Sequence, residues 1–176
     1  VQHLFQAGGK RFRPLFTVLS ASLGPDPDNN DVAIAGAVIE LVHLATLYHD
    51  DVMDEAQIRR GAKSANARWD NSIAILTGDF LFAHASRLVA SLGEDAVRII
   101  AETFAELVTG QMRETVGARP GVDPVEQIGS GIAWVPTTFV GMAGIVANQP
   151  DHPMPAGCQE CGQRRAHHFA TARQQL

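Results

Sequence analysis

The stretch Leu47–Gly61, "LYHDDVMDEAQIRRG", ends a long apolar run in three aspartates, Asp50, Asp51 and Asp54, with Arg59 and Arg60 close behind. Stability alone disfavours such an ending. Carboxylates at a helix C-terminus meet the negative end of the macrodipole, and these three repel one another. At about 3.6 residues per turn, Asp50 and Asp54 share a helix face and Asp51 lies on its flank. The spacing therefore predicts three oxygen-bearing groups directed into one volume. A magnesium ion suits that arrangement, because Mg2+ takes one or two protein carboxylates, keeps several waters and completes its octahedron with phosphate oxygens. The plainer alternative is a solvated helix end whose acids pair with Arg59 and Arg60. His43 lies seven residues before Asp50, two turns up the same face.

Outward from this stretch, four segments read as helix. Pro14 suits a first helical turn, and "PLFTVLSASLG" follows, closing at Gly24. "GPDPDNND" is a turn-rich loop that offers Asp31 as an N-cap. The run Val32–Asp54 is apolar almost all round and reads as a buried helix. A third helix is expected over Ser72–Leu92 and a fourth from Glu94 to about Val116. No convincing period-2 run and no internal repeat is present, so the fold class is all-α, in long antiparallel helices. After Gly117 the chain becomes dense in Gly and Pro and loses helical periodicity. Two regions are therefore expected, 1–117 helical and 118–176 an atypical Gly/Pro-rich tail, either a different small unit or poorly ordered.

The bulk numbers exclude some classes. At 176 residues the chain is long enough for one domain with a real core, and 45% hydrophobic residues exclude a disordered chain. A net charge of -5 argues against a nucleic-acid surface. Two cysteines, Cys158 and Cys161, are too few for a disulfide framework and point to a reducing compartment. No signal peptide and no membrane-length apolar stretch is read, so the expectation is a soluble cytoplasmic protein without a transmembrane segment.

Basic residues fall in two groups. "GGKRFRP" sets Lys10, Arg11 and Arg13 in a Gly-led loop before a helix, a good place for an anion, although the Walker A spacing is absent. Arg59 and Arg60 form the second group, and the planar guanidinium fork binds two diphosphate oxygens at once.

In order, "GGKRFRP", "ELVHLATLYHDDVMDEAQIRRG", "SANA", "ILTGDFLFAHA" and "TGQMRE" resemble the N-terminal half of trans-isoprenyl (polyprenyl) diphosphate synthases, from Leu4 to Val116. The resemblance implies an incomplete helical bundle of the isoprenoid synthase type. It also implies Mg2+-assisted condensation of an allylic diphosphate with isopentenyl diphosphate. On it, Lys10, Arg13 and His43 match residues holding the isopentenyl diphosphate. Asp50, Asp51 and Asp54 match the first aspartate-rich motif, which binds metal. Arg59 matches the arginine for the allylic diphosphate, Arg60 that for the isopentenyl one, and Gln111 a glutamine near the metal. Small side chains at Ala45 and Thr46, where the family sets product length by bulk, imply a medium-to-long product that Ala45→Phe would shorten. A homodimer, or a non-catalytic partner role beside a full-length synthase, is also compatible with the family.

The family's Lys-Thr pair and second aspartate-rich motif do not occur between Gly117 and Leu176. A truncated or frame-shifted tail would explain that, and the expectation is then an impaired chain with exposed apolar faces on the Val32–Asp54 helix. An appended unit is the other reading, with Cys158, Cys161, His167 and His168 as zinc ligands, though the spacing is unlike a zinc finger.

Overall fold

The computed structural model describes residues 2–117. Along them run α1 (Gln2–Gln6), α2 (Phe12–Ala21), α3 (Asn30–Met53), β1 (Ile58–Arg59), β2 (Ala62–Lys63), α4 (Ala65–Arg68), α5 (Asn71–Ala90) and α6 (Glu94–Val116). The readings that fall on 118–176, including the four zinc candidates, lie outside the described residues.

Helices α3 and α5 form the central pair. Leu44, Ala45 and Tyr48, late in α3, pack with Ala74 and Leu81, early in α5. Ala35, Val38 and Ile39, early in α3, pack with Ala85, Val89 and Leu92 at the other end. The pair is therefore antiparallel, as expected. α2 lies against α3 where Gly36 meets Pro14, and α6 rests on α5, with Phe82 and Phe104 in ring contact at 4.3 Å between centroids. Leu4 of α1 is fully buried in the cluster around Tyr48, which ties the N-terminus to the C-terminal half of α3.

Several boundaries differ from the expected ones. α3 starts at Asn30, because Asn29 rather than Asp31 is the N-cap: its side chain accepts from the Asp31 N–H at 3.0 Å. Asp31 instead lies in the first turn, where a carboxylate favours the positive end of the macrodipole. α5 starts at Asn71, with Asp70 Oδ1 accepting from the Ile73 N–H at 3.1 Å. A two-stranded antiparallel ribbon, Ile58 opposite Lys63 and Arg59 opposite Ala62, interrupts the all-helical order. It is too short to carry a period-2 signal. Its two-residue turn, Arg60–Gly61, has positive φ at both positions (52° and 78°), the form that matches strand twist.

Two further expectations need correction. By length and composition alone α3 and α5 could each cross a bilayer, although a buried core helix meets the same criterion and 56% of the α3 window is buried. Of the large apolar side chains on α3 only Met53, at its end, is exposed, and the rest of the exposed apolar surface among the described residues lies on other elements. It runs along α2 (Phe12, Leu15, Phe16, Leu19) and α5 (Ile73, Leu76, Phe80), with Met112 and Val116 on α6.

Candidate functional site

The last turn of α3 separates the three aspartates. Asp51 is fully buried, and the Arg59 Nε–H donates to its Oδ1 at 2.6 Å. Asn66 Nδ2 donates to the Asp51 carbonyl at 3.0 Å and to that of Ala56 at 3.1 Å, which fastens α4 to the end of α3. Of the three carboxylates expected in one volume, Asp51 is the one engaged in an ion pair, while Asp50 and Asp54 are not tied to Arg59. Among the described residues, no group of three or more His, Cys, Asp or Glu is close enough to hold a metal ion.

The remaining pair is electrostatically uneasy. Burial, followed by the neighbouring charge of Asp54, pushes the Asp50 carboxyl above the ordinary range, with Arg59 opposing. A cation between Asp50 and Asp54 would relieve that repulsion. Two carboxylates also match the number Mg2+ takes when phosphates and water complete its shell. The donor set fits a divalent ion that arrives with a phosphorylated ligand.

Two turns up α3 from the acids, positive charge converges. His43 is held at about 4, first by burial and then by Arg13, Arg60, Arg11 and Arg59, in that order. Four guanidinium groups from two separate segments thus bear on one imidazole. The segments are positioned by local bonds. Arg60 donates from Nη1 to the Gly8 carbonyl. A Cβ at Gly9 would lie 2.7 Å from that same nitrogen, so the glycine is what lets Arg60 lie across the loop. Arg11 and Arg60 both adopt left-handed backbone (φ 50° and 52°), a strained state that clusters at functional positions.

Glu40 has a role that the sequence reading missed. Arg11 Nη1 pairs with its Oε1, and Nη2 donates to the Phe5 carbonyl at 2.9 Å. The Arg11 guanidinium also lies over the Phe5 ring, 4.1 Å from its centroid. Arg11 is thus a strut between α1, the basic loop and α3. The available signal was Glu40 itself, a lone acid in an apolar run one turn before His43. Burial lowers Arg13, and Glu40 opposes the shift. Lys10 is exposed, with Nζ 5.7 Å from the Phe12 ring centroid. Gln111 is half-buried on α6, and no hydrogen bond ties its side chain to these groups among the described residues.

A profile of the family described as Polyprenyl synthetase matches residues 1–127. The chain belongs to that family. It is 67% identical over 142 residues to nonaprenyl diphosphate synthase of Mycobacterium tuberculosis, covering 81% of this chain and 42% of that one. It is 42% identical over 113 residues to heptaprenyl diphosphate synthase component 2 of Bacillus subtilis, covering 64% and 32%. Among solved structures it resembles a geranylgeranyl pyrophosphate synthase of Corynebacterium glutamicum crystallised with calcium and isoprenyl diphosphate. The TM-score there is 0.70 at 51% identity, over 86% of this chain and 47% of that one. The heptaprenyl diphosphate synthase of Staphylococcus aureus superposes with a TM-score of 0.76 at 29% identity, over 83% and 48%. The bundle is thus of the isoprenoid synthase type, and the chain spans less than half the length of these relatives.

The neutral state of His43 has a measurable consequence. With its folded value at about 4 and the ordinary value at 6.5, the unfolded chain binds more protons between those limits. The stabilisation is complete above pH 6.5 and is lost as pH falls toward 4, by up to about tenfold in the folding equilibrium per pH unit. Urea midpoints of the parent should fall across that window, and His43→Gln should flatten the fall. Equal slopes for the two proteins would exclude a neutral, buried His43.

Proposed function

We propose that this chain carries the diphosphate-binding half of a polyprenyl diphosphate synthase, which extends an allylic diphosphate with isopentenyl diphosphate to a medium-to-long product. The observation that carries the reading is the convergence of Arg11, Arg13, Arg59 and Arg60 on His43, two turns along α3 from the crowded Asp50–Asp54 pair. Mg2+ held by Asp50 and Asp54 would draw charge from the allylic diphosphate as it leaves. Arg59 keeps its outer guanidinium nitrogens for that diphosphate, because only Nε is spent on Asp51. Lys10, Arg13, Arg60 and a neutral, donating His43 hold the isopentenyl diphosphate. The allylic C–O bond breaks, the isopentenyl double bond attacks the resulting cation, and a proton is lost to the released diphosphate. The arginines stabilise negative charge as it develops on the leaving oxygen, where preorganised donors have the largest effect. Gln111 joins this site in the reading only through the family match.

The binding step is testable directly. Farnesyl diphosphate titrated into the chain by calorimetry should bind with Mg2+ and lose at least tenfold in affinity with EDTA or with Asp50→Ala. Binding indifferent to both changes would refute the assignment.

Of the two small residues expected to bear on product length, Ala45 and Thr46, the second is the better place for a test. Ala45 is fully buried against Leu81 and Ala74, so Ala45→Phe should overpack the core, at a cost of about 1–3 kcal/mol. Thr46 is only half-buried, with its hydroxyl donating to the His43 carbonyl at 2.8 Å. In a full-length version of this protein Thr46→Phe should shorten the product seen by reverse-phase chromatography. An unchanged product distribution would remove Thr46 from the chain-length wall.

A second reading is a non-catalytic partner of a full-length synthase, or a homodimer, and the exposed apolar stripe on α2 favours association of some kind. A cytoplasmic location and a boundary at residue 117 between synthase region and tail belong to the same proposal.

A further inference from the structure

His49 stands beside Asp50 on α3, yet the site described above makes no use of it. Its imidazole presses into α5 at Gly78, where an added Cβ would lie 2.3 Å from Nε2 and 2.5 Å from Cδ2. Gly78 is therefore a notch: a glycine inside a 20-residue helix, where alanine would favour the helix by about 1 kcal/mol. Within the notch Nε2 is 3.2 Å from the Ile75 carbonyl and 3.3 Å from Asp79 Oδ1. A carbonyl only accepts, which assigns the ring proton to Nε2 and makes His49 the donor to Ile75, with the Asp79 carboxylate within ion-pair distance beside it.

We propose that His49, seated in the Gly78 notch and held by Ile75 and Asp79, is the positioning residue that locks the last turn of α3 onto α5. It thereby fixes where Asp50 and Asp54 present their carboxylates. The inference rests on the reading of Asp50 and Asp54 as the metal–diphosphate pair, and it adds a residue that touches neither metal nor substrate. That turn needs an external hold. It ends in like charges at the negative pole of α3, so it is electrostatically prone to fray. Asp51 anchors it to the ribbon through Arg59, and His49 anchors it to α5. The two anchors flank Asp50 directly. A carboxylate placed about 1 Å away from its productive position can cost about a hundredfold in function, so a latch at the adjacent residue has leverage on the site.

A mutant cycle tests the latch. His49→Ala, Gly78→Ala and the double variant are compared with the parent and with His49→Gln, whose amide can donate from a similar position. Amide hydrogen exchange of the last α3 turn is one readout, and the Mg2+-dependent part of farnesyl diphosphate affinity, measured on folded protein, is the other. Exchange at Asp50–Asp54 should rise at least tenfold in His49→Ala and in Gly78→Ala, while the buried turns around Val38 stay protected. Gly78→Ala should add nothing once His49 is alanine, and His49→Gln should restore most of the protection. The metal-dependent affinity should fall in step with lost protection. Exchange unchanged in His49→Ala, or a Gly78→Ala effect that persists without His49, would overturn the latch. Protection lost without any change in metal-dependent affinity would overturn its link to the carboxylates. Should the parent show no metal-dependent binding at all, the site reading fails, and the exchange data still decide whether the latch exists.

Discussion

The purified 176-residue chain, given farnesyl diphosphate, labelled isopentenyl diphosphate and Mg2+, is expected to form extractable product at least about a hundred- to a thousandfold more slowly than a full-length family member. Ionisation of an allylic diphosphate requires charge stabilisation around the whole leaving group. On the proposed function, Asp50, Asp54 and the arginines supply one bank of it. No second aspartate-rich stretch occurs between Gly117 and Leu176 to supply a facing bank. Loss of a single preorganised donor from such a site costs about two to three powers of ten in rate, so loss of a bank should cost no less. The measurement is butanol-extractable radioactivity over time. Robust turnover that Asp50→Ala abolishes would mean that residues 118–176 provide the missing groups.

Most of the bundle was legible because its signals are long. The 24 residues of α3 are mostly apolar, and α6 begins and ends where its sequence breaks, at Gly93 and Gly117. What escaped is short or depends on tertiary contact. The ribbon is two residues per strand, and it exists because Arg60 and Gly61 accept positive φ while Ser64 and Asn66 bond to the Ala56 carbonyl. Helix starts shifted by one or two residues, since several Asn and Asp side chains could cap and only packing chooses among them. At the site, periodicity located Asp50 and Asp54 on one face but could not say that Asp51 points inward, because that is decided by where Arg59 returns. Glu40 and His49 were passed over for the same reason: each looks ordinary until Arg11 or Gly78 is placed against it.

Arg59→Ala should be the most destabilising single change in the described residues that leaves the apolar core untouched. Asp51 has no exposure, Arg59 is its ion-pair partner, and its Oδ2 already lacks a hydrogen bond among the described residues. Removing the guanidinium leaves a buried carboxylate with no countercharge, a loss that typically costs about 3–5 kcal/mol. The low end applies, because the Arg59 side chain is 28% exposed and water can enter the space it vacates. About 3 kcal/mol corresponds to a melting temperature lower by roughly 6–12 °C for a chain of this size. The double variant Asp51→Asn/Arg59→Ala should recover much of that loss, since a neutral amide is far cheaper to bury than a carboxylate. Arg59→Lys should recover less than the charge alone suggests, because an ammonium cannot hold Asp51 with one nitrogen while offering others outward. Thermal and urea unfolding of the four proteins measure this. A double variant as unstable as Arg59→Ala would mean that the arginine stabilises the ribbon by packing, and that Asp51 is not what it neutralises.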